Sequence, residues 1–187
     1  IASNNIEDVT IVNTYAYAHI SYRTAEAYGV NNTGTIGTDI DNSGTITAVA
    51  TNNMLNVTIH GSSYAYVYSA TALAYGLENS GAITGKLNNE GVISATASNI
   101  IENLELVNND GYYAWMSTQE ATAYGIENTG TIGTGFLNSG AITATASNEI
   151  IDTLVRNDRG TDSAYIYGLS AEAYGLNTSN TITTGGL

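Results

Sequence analysis

Gly125-Ile126-Glu127-Asn128-Thr129-Gly130-Thr131-Ile132 is the stretch on which the fold turns, because it recurs. Shortly afterwards Phe136-Leu137-Asn138-Ser139-Gly140-Ala141-Ile142 repeats its plan, and earlier in the chain the same pairing returns twice. Asn32-Thr33-Gly34 goes with Asn42-Ser43-Gly44, and Asn79-Ser80-Gly81 with Asn89-Glu90-Gly91. Each Asn-x-Gly reads as a tight corner in left-handed backbone, which Asn tolerates and Gly adopts freely. The flanking residues alternate, with Thr35, Ala82 and Thr131 outward and Ile36, Ile83 and Ile132 inward. Alternation at period two with β-branched residues predicts short strands. No window carries a capped apolar stripe at helical spacing, and Asn, Thr, Tyr, Ile, Val and Gly are mediocre to poor helix formers. The chain reads as all-β.

Working outward from these corners, Ala27-Tyr28-Gly29, Ala74-Tyr75-Gly76, Ala123-Tyr124-Gly125 and Ala173-Tyr174-Gly175 mark four repeats. Ala2-Ser3-Asn4, Ala50-Thr51-Asn52, Ala97-Ser98-Asn99 and Ala146-Ser147-Asn148 run in step with them. The repeats span about residues 2–49, 50–96, 97–145 and 146–187, the last incomplete, in one segment covering 1–187. Such a period is the signature of a stacked repeat fold, here a parallel β-helix or β-solenoid. Ile101-Glu102-Asn103 echoes Ile126-Glu127-Asn128, which suggests two coils of about 24 residues per repeat and a rod somewhat under about 40 Å long. One long irregular coil per repeat is the alternative. Stacking predicts core columns at Val30/Leu77/Ile126/Leu176 and Ile36/Ile83/Ile132/Ile182. It predicts Ala columns where opposite sheets approach closely, and an amide ladder at Asn32, Asn79 and Asn128. In the fourth copy Thr178 and Asn180 stand where the others have Asn and Gly.

Composition excludes several functions. Four Lys+Arg against seventeen Asp+Glu give a formal charge of -13 over 187 residues, so nucleic acid is not a partner through phosphate neutralisation. With no Cys there is no disulfide framework, thiolate metal site or Cys nucleophile. No apolar run is long enough for a spanning helix, so the segment is not expected to cross a membrane by one. No signal peptide is visible and the first residue is not Met, which suggests a processed product or an excised piece. An acidic chain without Cys or Pro fits secretion.

Fourteen Tyr stand against one Phe and one Trp. Aligned on the repeats, Tyr17, Tyr64, Tyr113 and Ser163 form one column, and His19, Tyr66, Trp115 and Tyr165 the next on the same face. Ala18, Ala65, Ala114 and Ala164 alternate with them and read as inward. Tyr17, Tyr64, Tyr66, Tyr113, Trp115 and Tyr165 are therefore the candidate contact surface, for glycans or a neighbouring rod. Stacking between rungs that only stabilises the sheet is the competing reading. His19 and His60 do not align and neither has a fixed acidic neighbour in the repeats, so no catalytic set is nominated. No paired carboxylates suit glycoside hydrolysis. Asp39 and Asp41 flank a corner, but the calcium-solenoid nonapeptide is missing; no metal or cofactor is expected. An ice-binding face needs unbroken Thr columns, and Ala82 and Ala141 interrupt them.

The iterated Gly-Ile-x-Asn-[Ser/Thr]-Gly-[Thr/Ala]-Ile, seen at Gly125–Ile132, resembles the passenger repeats of bacterial autotransporter adhesins and related large surface proteins. The resemblance implies a right-handed parallel β-helix outside a Gram-negative-type cell, exported unfolded and free of Cys. The function expected is a non-enzymatic bacterial cell-surface stalk or adhesin. A self-assembling extracellular filament subunit is the alternative, and a polysaccharide-active β-helix enzyme a third class that the regular repeats disfavour. Ile1 aligns with the middle of a repeat and Leu187 with Leu137, so flanking copies of the same fold, in cis or in trans, are the expected partners, with glycans or host and other cell surfaces.

Overall fold

The computed structural model describes residues 1–109, 113–158, 163–180 and 182. The expectation attached to Leu187 lies outside these residues. The described chain is all-β, as the alternation predicts, and its strand pairs are parallel, as the stacked repeats predict. The longest sheet contains Thr45–Gly61 and Val92–Asn108, flanked by Ala2–Glu7 with Thr10–Asn13 on one side and Ala141–Ile151 with Leu154–Asn157 on the other. A second sheet stacks Tyr17–Ile20, Tyr64–Val67, Tyr113–Met116 and Ala164–Ile166. A third stacks Arg23–Asn32, Ala70–Asn79, Gln119–Asn128 and Leu169–Thr178. Two three-stranded ribbons close the turn back to the long sheet.

Register corrects the coil count. Ala2 pairs with Ala50, Ala50 with Ala97 and Ala97 with Ala146. Ladder partners such as Asn32 and Asn79 stand 47 residues apart, and Asn128 and Thr178 stand 50 apart. Coils of about 24 residues would pair residues half that far apart, and no sheet among the described residues does so. Each repeat is one long coil. Four such coils at about 4.8 Å per step make a stack under about 20 Å tall, half the expected length. The half-repeat echo misled because its two Asn occupy different environments. Asn128 is a buried corner amide, whereas Asn103 is an exposed residue of the long strand, in left-handed backbone at φ 53°.

The same conformation recurs at Asp8, Asn56 and Asp152, with φ of 52°, 53° and 46°. This is where the chain uses left-handed backbone, and the expectation that the Asn-x-Gly corners do so is overturned: among the described residues the only glycines at positive φ are Gly135 and Gly168. The corner glycines are there for space. A Cβ on Gly81 would meet the carbonyl oxygen of Gly34 at 2.0 Å, and one on Gly130 would meet that of Gly81 at 1.9 Å. The corner asparagine does the hydrogen bonding. Asn32 Nδ2 donates to Asn79 Oδ1 at 2.7 Å and Asn79 Nδ2 to Asn128 Oδ1 at 2.6 Å, the amide ladder expected. A second ladder joins Asn42, Asn89 and Asn138, and a third joins Asn4, Asn52, Asn99 and Asn148.

The core has three compartments along the flattened section. At one end Leu77, Ile83, Leu87, Ile93, Ile126 and Ile132 pack beneath the corners. The middle is an alanine waist, where Ala25, Ala27, Ala72, Ala74, Ala121 and Ala123 face Ala48, Ala50, Ala95 and Ala97 of the long sheet. This is the close approach that the paired Ala columns predict. At the far end Met54, Val57, Ile59, Ile101, Leu104 and Leu106 pack under Ala65, Val67, Ala114 and Met116. Arg23 breaks the apolar inward pattern: it is 7% exposed, and burial lowers its guanidinium pKa to about 10.

Candidate functional site: aromatic columns on the outer faces

The sheet running through Tyr17–Ile20, Tyr64–Val67, Tyr113–Met116 and Ala164–Ile166 sends Ala18, Ile20, Ala65, Val67, Ala114 and Met116 inward, all buried. Alternation then throws Tyr17, Tyr64 and Tyr113 outward in one column, and His19, Tyr66, Trp115 and Tyr165 in the next. The six candidate residues come together as one array. Tyr17 stacks on Tyr64 with ring centroids 4.8 Å apart, Tyr64 lies 6.1 Å from Tyr113, and Tyr113 6.4 Å from Tyr165. Tyr66 bridges the columns, 5.5 Å from Tyr64 and 4.7 Å from Trp115.

Exposure is uneven across the array. Tyr17 is 54% and Tyr165 37% exposed, Tyr64, Tyr113 and Trp115 are half-buried, and Tyr66 is only 9% exposed. Tyr66 thus faces outward but is roofed by its neighbours' rings. Burial, then the adjacent tyrosines, push its phenol up to about 12. Three residues that the sequence reading passed over extend the surface: Tyr22 and Tyr68 stack at 5.0 Å, and Tyr167 lies 5.4 Å from Tyr165. Tyr68 and Tyr167 follow Tyr66 and Tyr165 by two residues, so period two was the signal that places them on this face.

A second aromatic column stands on the neighbouring sheet. Tyr28, Tyr75, Tyr124 and Tyr174, the tyrosines of the Ala-Tyr-Gly markers, stack at 5.0, 5.1 and 5.1 Å with interplanar angles of 6°, 6° and 10°. They served as alignment marks in the sequence, although their position directly after inward alanines already places them outside. The Tyr28 hydroxyl donates to Glu26 Oε1, and the Tyr174 hydroxyl donates to Glu172 Oε2 at 2.8 Å. The Glu26 bond, then burial, pushes the Tyr28 phenol up to about 12; Tyr75 and Tyr124 are raised chiefly by burial, and Tyr174 chiefly by its Glu172 bond. Glu127, beside this column, is raised by burial and by the charge of Glu78.

Charged residues elsewhere form small groups. His60 does have an acidic neighbour, contrary to the sequence reading: its Nε2 lies 3.7 Å from Glu105 Oε1, and Arg156 lies 3.8 Å from the same carboxylate and 3.3 Å from Asp158. The next coil supplies Glu105, one column away, so alignment within a repeat does not reveal it. Asp39 accepts from the Lys86 amide at 2.9 Å and Asp41 from Asn88 Nδ2 at 3.2 Å. Among the described residues no three or more His, Asp and Glu gather to hold a metal ion, no pocket opens, and no helix is long and apolar enough to cross a membrane. The Thr columns are interrupted as read, at Thr35–Ala82–Thr131 and Thr45–Val92–Ala141. Compared with known proteins, the chain matches no family model, no curated protein and no solved structure.

Proposed function

We propose that this chain is part of a non-enzymatic bacterial cell-surface protein, an extracellular stalk or adhesin passenger. Its coils of 47–50 residues, the spacings of the ladder asparagines and their Thr178 partner, wind right-handedly. Contact with glycans or a neighbouring rod falls to the aromatic array. One observation carries this reading: side-chain hydrogen bonding runs mainly from coil to coil in repeating ladders, while the array joins aromatic side chains over a broad, partly exposed face. Polar chemistry spent on holding the stack leaves aromatic surface as the recognition element. The test is glycan-array binding and self-association by the intact chain and by a Tyr17→Ser/Tyr165→Ser variant, which removes the two most exposed rings of the candidate set. Lost binding at an unchanged melting temperature is expected. A chain that binds no glycan and never self-associates overturns the proposal.

The filament reading has its own support. In the fourth coil the inward-set residues Ile166, Leu169 and Leu176 are 50%, 53% and 45% exposed, while Met116 and Ile126 below them are fully buried. The filament reading sets a second copy of this fold against this surface.

A further inference from the structure

We infer that the Tyr28–Tyr75–Tyr124–Tyr174 column is an oxidative cross-linking site that staples adjacent coils through dityrosine. The starting point is the imbalance of fourteen Tyr to one Phe. Stacking alone does not explain it, because phenylalanine rings stack as well as phenols. What Phe lacks is a hydroxyl whose proton and one electron can be removed together. Within this column the rings lie 5.0 to 5.1 Å apart and within 10° of parallel, so each ring is held face towards the next, one ladder step away. The two end rings each donate their phenol proton to a carboxylate, Tyr28 to Glu26 and Tyr174 to Glu172. Both are open to a reagent, being 38% and 39% exposed. With phenols held above their usual pKa, phenolate is scarce at neutral pH, and a bonded base is the route by which the proton leaves as the electron does.

The oxidant is a peroxidase with hydrogen peroxide. Two phenols each lose one electron and one proton, the proton passing first to Glu26 or Glu172 where these are bonded. The two radicals join through the carbons ortho to oxygen, and each ortho hydrogen moves to its ring oxygen, restoring two phenols. Peroxide takes up the two electrons and two protons and leaves as two waters. Since each cross-link uses two rings and the bases sit at the ends, the links fall at Tyr28–Tyr75 and Tyr124–Tyr174.

The experiment treats the full chain with peroxidase and hydrogen peroxide at low protein concentration. It follows dityrosine fluorescence, separates monomer from dimer on a denaturing gel, and maps linked peptides by mass spectrometry. The expected result is monomer with raised resistance to denaturant and the two named links. Tyr75→Phe/Tyr124→Phe keeps the stack, with unchanged circular dichroism, removes both named links from the peptide map and lowers the monomer dityrosine yield, whatever the Tyr17–Tyr64 and Tyr22–Tyr68 pairs contribute. Glu26→Gln/Glu172→Gln slows its appearance. Dityrosine confined to dimers, links mapping only to other tyrosines, or undiminished yield in the double Phe variant overturns the inference. None of these readouts depends on adhesion, so failure of the cross-link leaves the proposed function standing and the converse also holds.

Discussion

Gly130→Ala and Gly34→Ala make the same chemical change in the same column, and the stack predicts opposite outcomes. At Gly34 an added Cβ meets nothing within 4 Å, and at Gly130 it falls 1.9 Å from the carbonyl oxygen of Gly81. Ordinary contact needs well over 3 Å, so the corner of the third coil must lift by more than an ångström. That carbonyl accepts the Thr131 amide at 3.0 Å, and the Gly130 amide itself donates to Asn79 oxygen at 2.9 Å. A lift of this size takes both bonds beyond useful geometry. Each broken bond with a buried orphan costs about 1–3 kcal/mol, so the substitution costs about 2–6 kcal/mol before any loss of packing at Ile132. Gly34→Ala, with no contact to make, changes stability by under about 1 kcal/mol and in the stabilising direction, by restricting the unfolded chain. Urea unfolding of the two variants beside the parent protein reads the difference directly. Equal destabilisation at both sites would mean that the glycines serve local conformation, and that close approach between coils is not what selects them at the corners.

Ile132, 1% exposed between Ile83 and Ile182, should lose several kcal/mol on replacement by Asp, while its exposed neighbour Thr131 should lose under about 1 kcal/mol; matching losses in thermal unfolding would reverse the strand faces. Tyr28 and Tyr66 are raised from 10.0 to about 12, so the stabilisation they give is complete below pH 10 and is lost as pH climbs through about 12. Ultraviolet titration with circular dichroism should therefore show part of the tyrosine absorbance change delayed past pH 10 and tied to unfolding, and free titration of every tyrosine near pH 10 in a folded chain refutes the burial of Tyr66.

The parts of the fold that were legible in the sequence are those written in strict repetition. Ile36, Ile83 and Ile132 pair as aligned, and so do Ala25, Ala72 and Ala121, because stacking demands the same volume at the same place in each coil. Corner location was legible but corner geometry was not. Asn-x-Gly suits both a left-handed turn and a cramped one, and the choice depends on a carbonyl contributed by another coil. The coil count failed for a related reason. Ile-Glu-Asn is written alike for a strand that enters a buried corner and for one that bends at exposed Asn103 between buried Ile101 and Leu104. The array was legible as a face, since alternation fixes direction. How far Tyr66 is covered depends on the ring of Tyr64 beside it and on that of Trp115 in the next coil, and alternation along one strand fixes neither.

In-register stacking also explains the choice of polar residues. Every outward residue stands about 4.8 Å from its counterpart in the next coil. Two like charges at that range repel by on the order of 1 kcal/mol in water and about 4 kcal/mol near a protein surface. A chain of charge -13 must therefore keep its acids out of vertical register, and it largely does. Glu26 and Glu172 are separated by Leu73 and Thr122, Glu7 and Glu102 by Leu55, and Asp8 and Asp152 by Asn56 and Asn103. Where Glu78 does stand beside Glu127, the repulsion helps to raise the Glu127 pKa, and Asn177 donates to that carboxylate. Asparagine is the residue that gains from meeting itself, because each amide donates to the coil on one side and accepts from the coil on the other. Asn56 shows the point at a single position: it donates to Asp8 at 2.9 Å and accepts from Asn103 at 3.0 Å. A carboxylate at position 56 could only accept, so Asn56→Asp would place like charges on Asp8 and lose a donor. Low charge and abundant amides are thus consequences of one constraint, that each residue must tolerate a copy of its column directly above it.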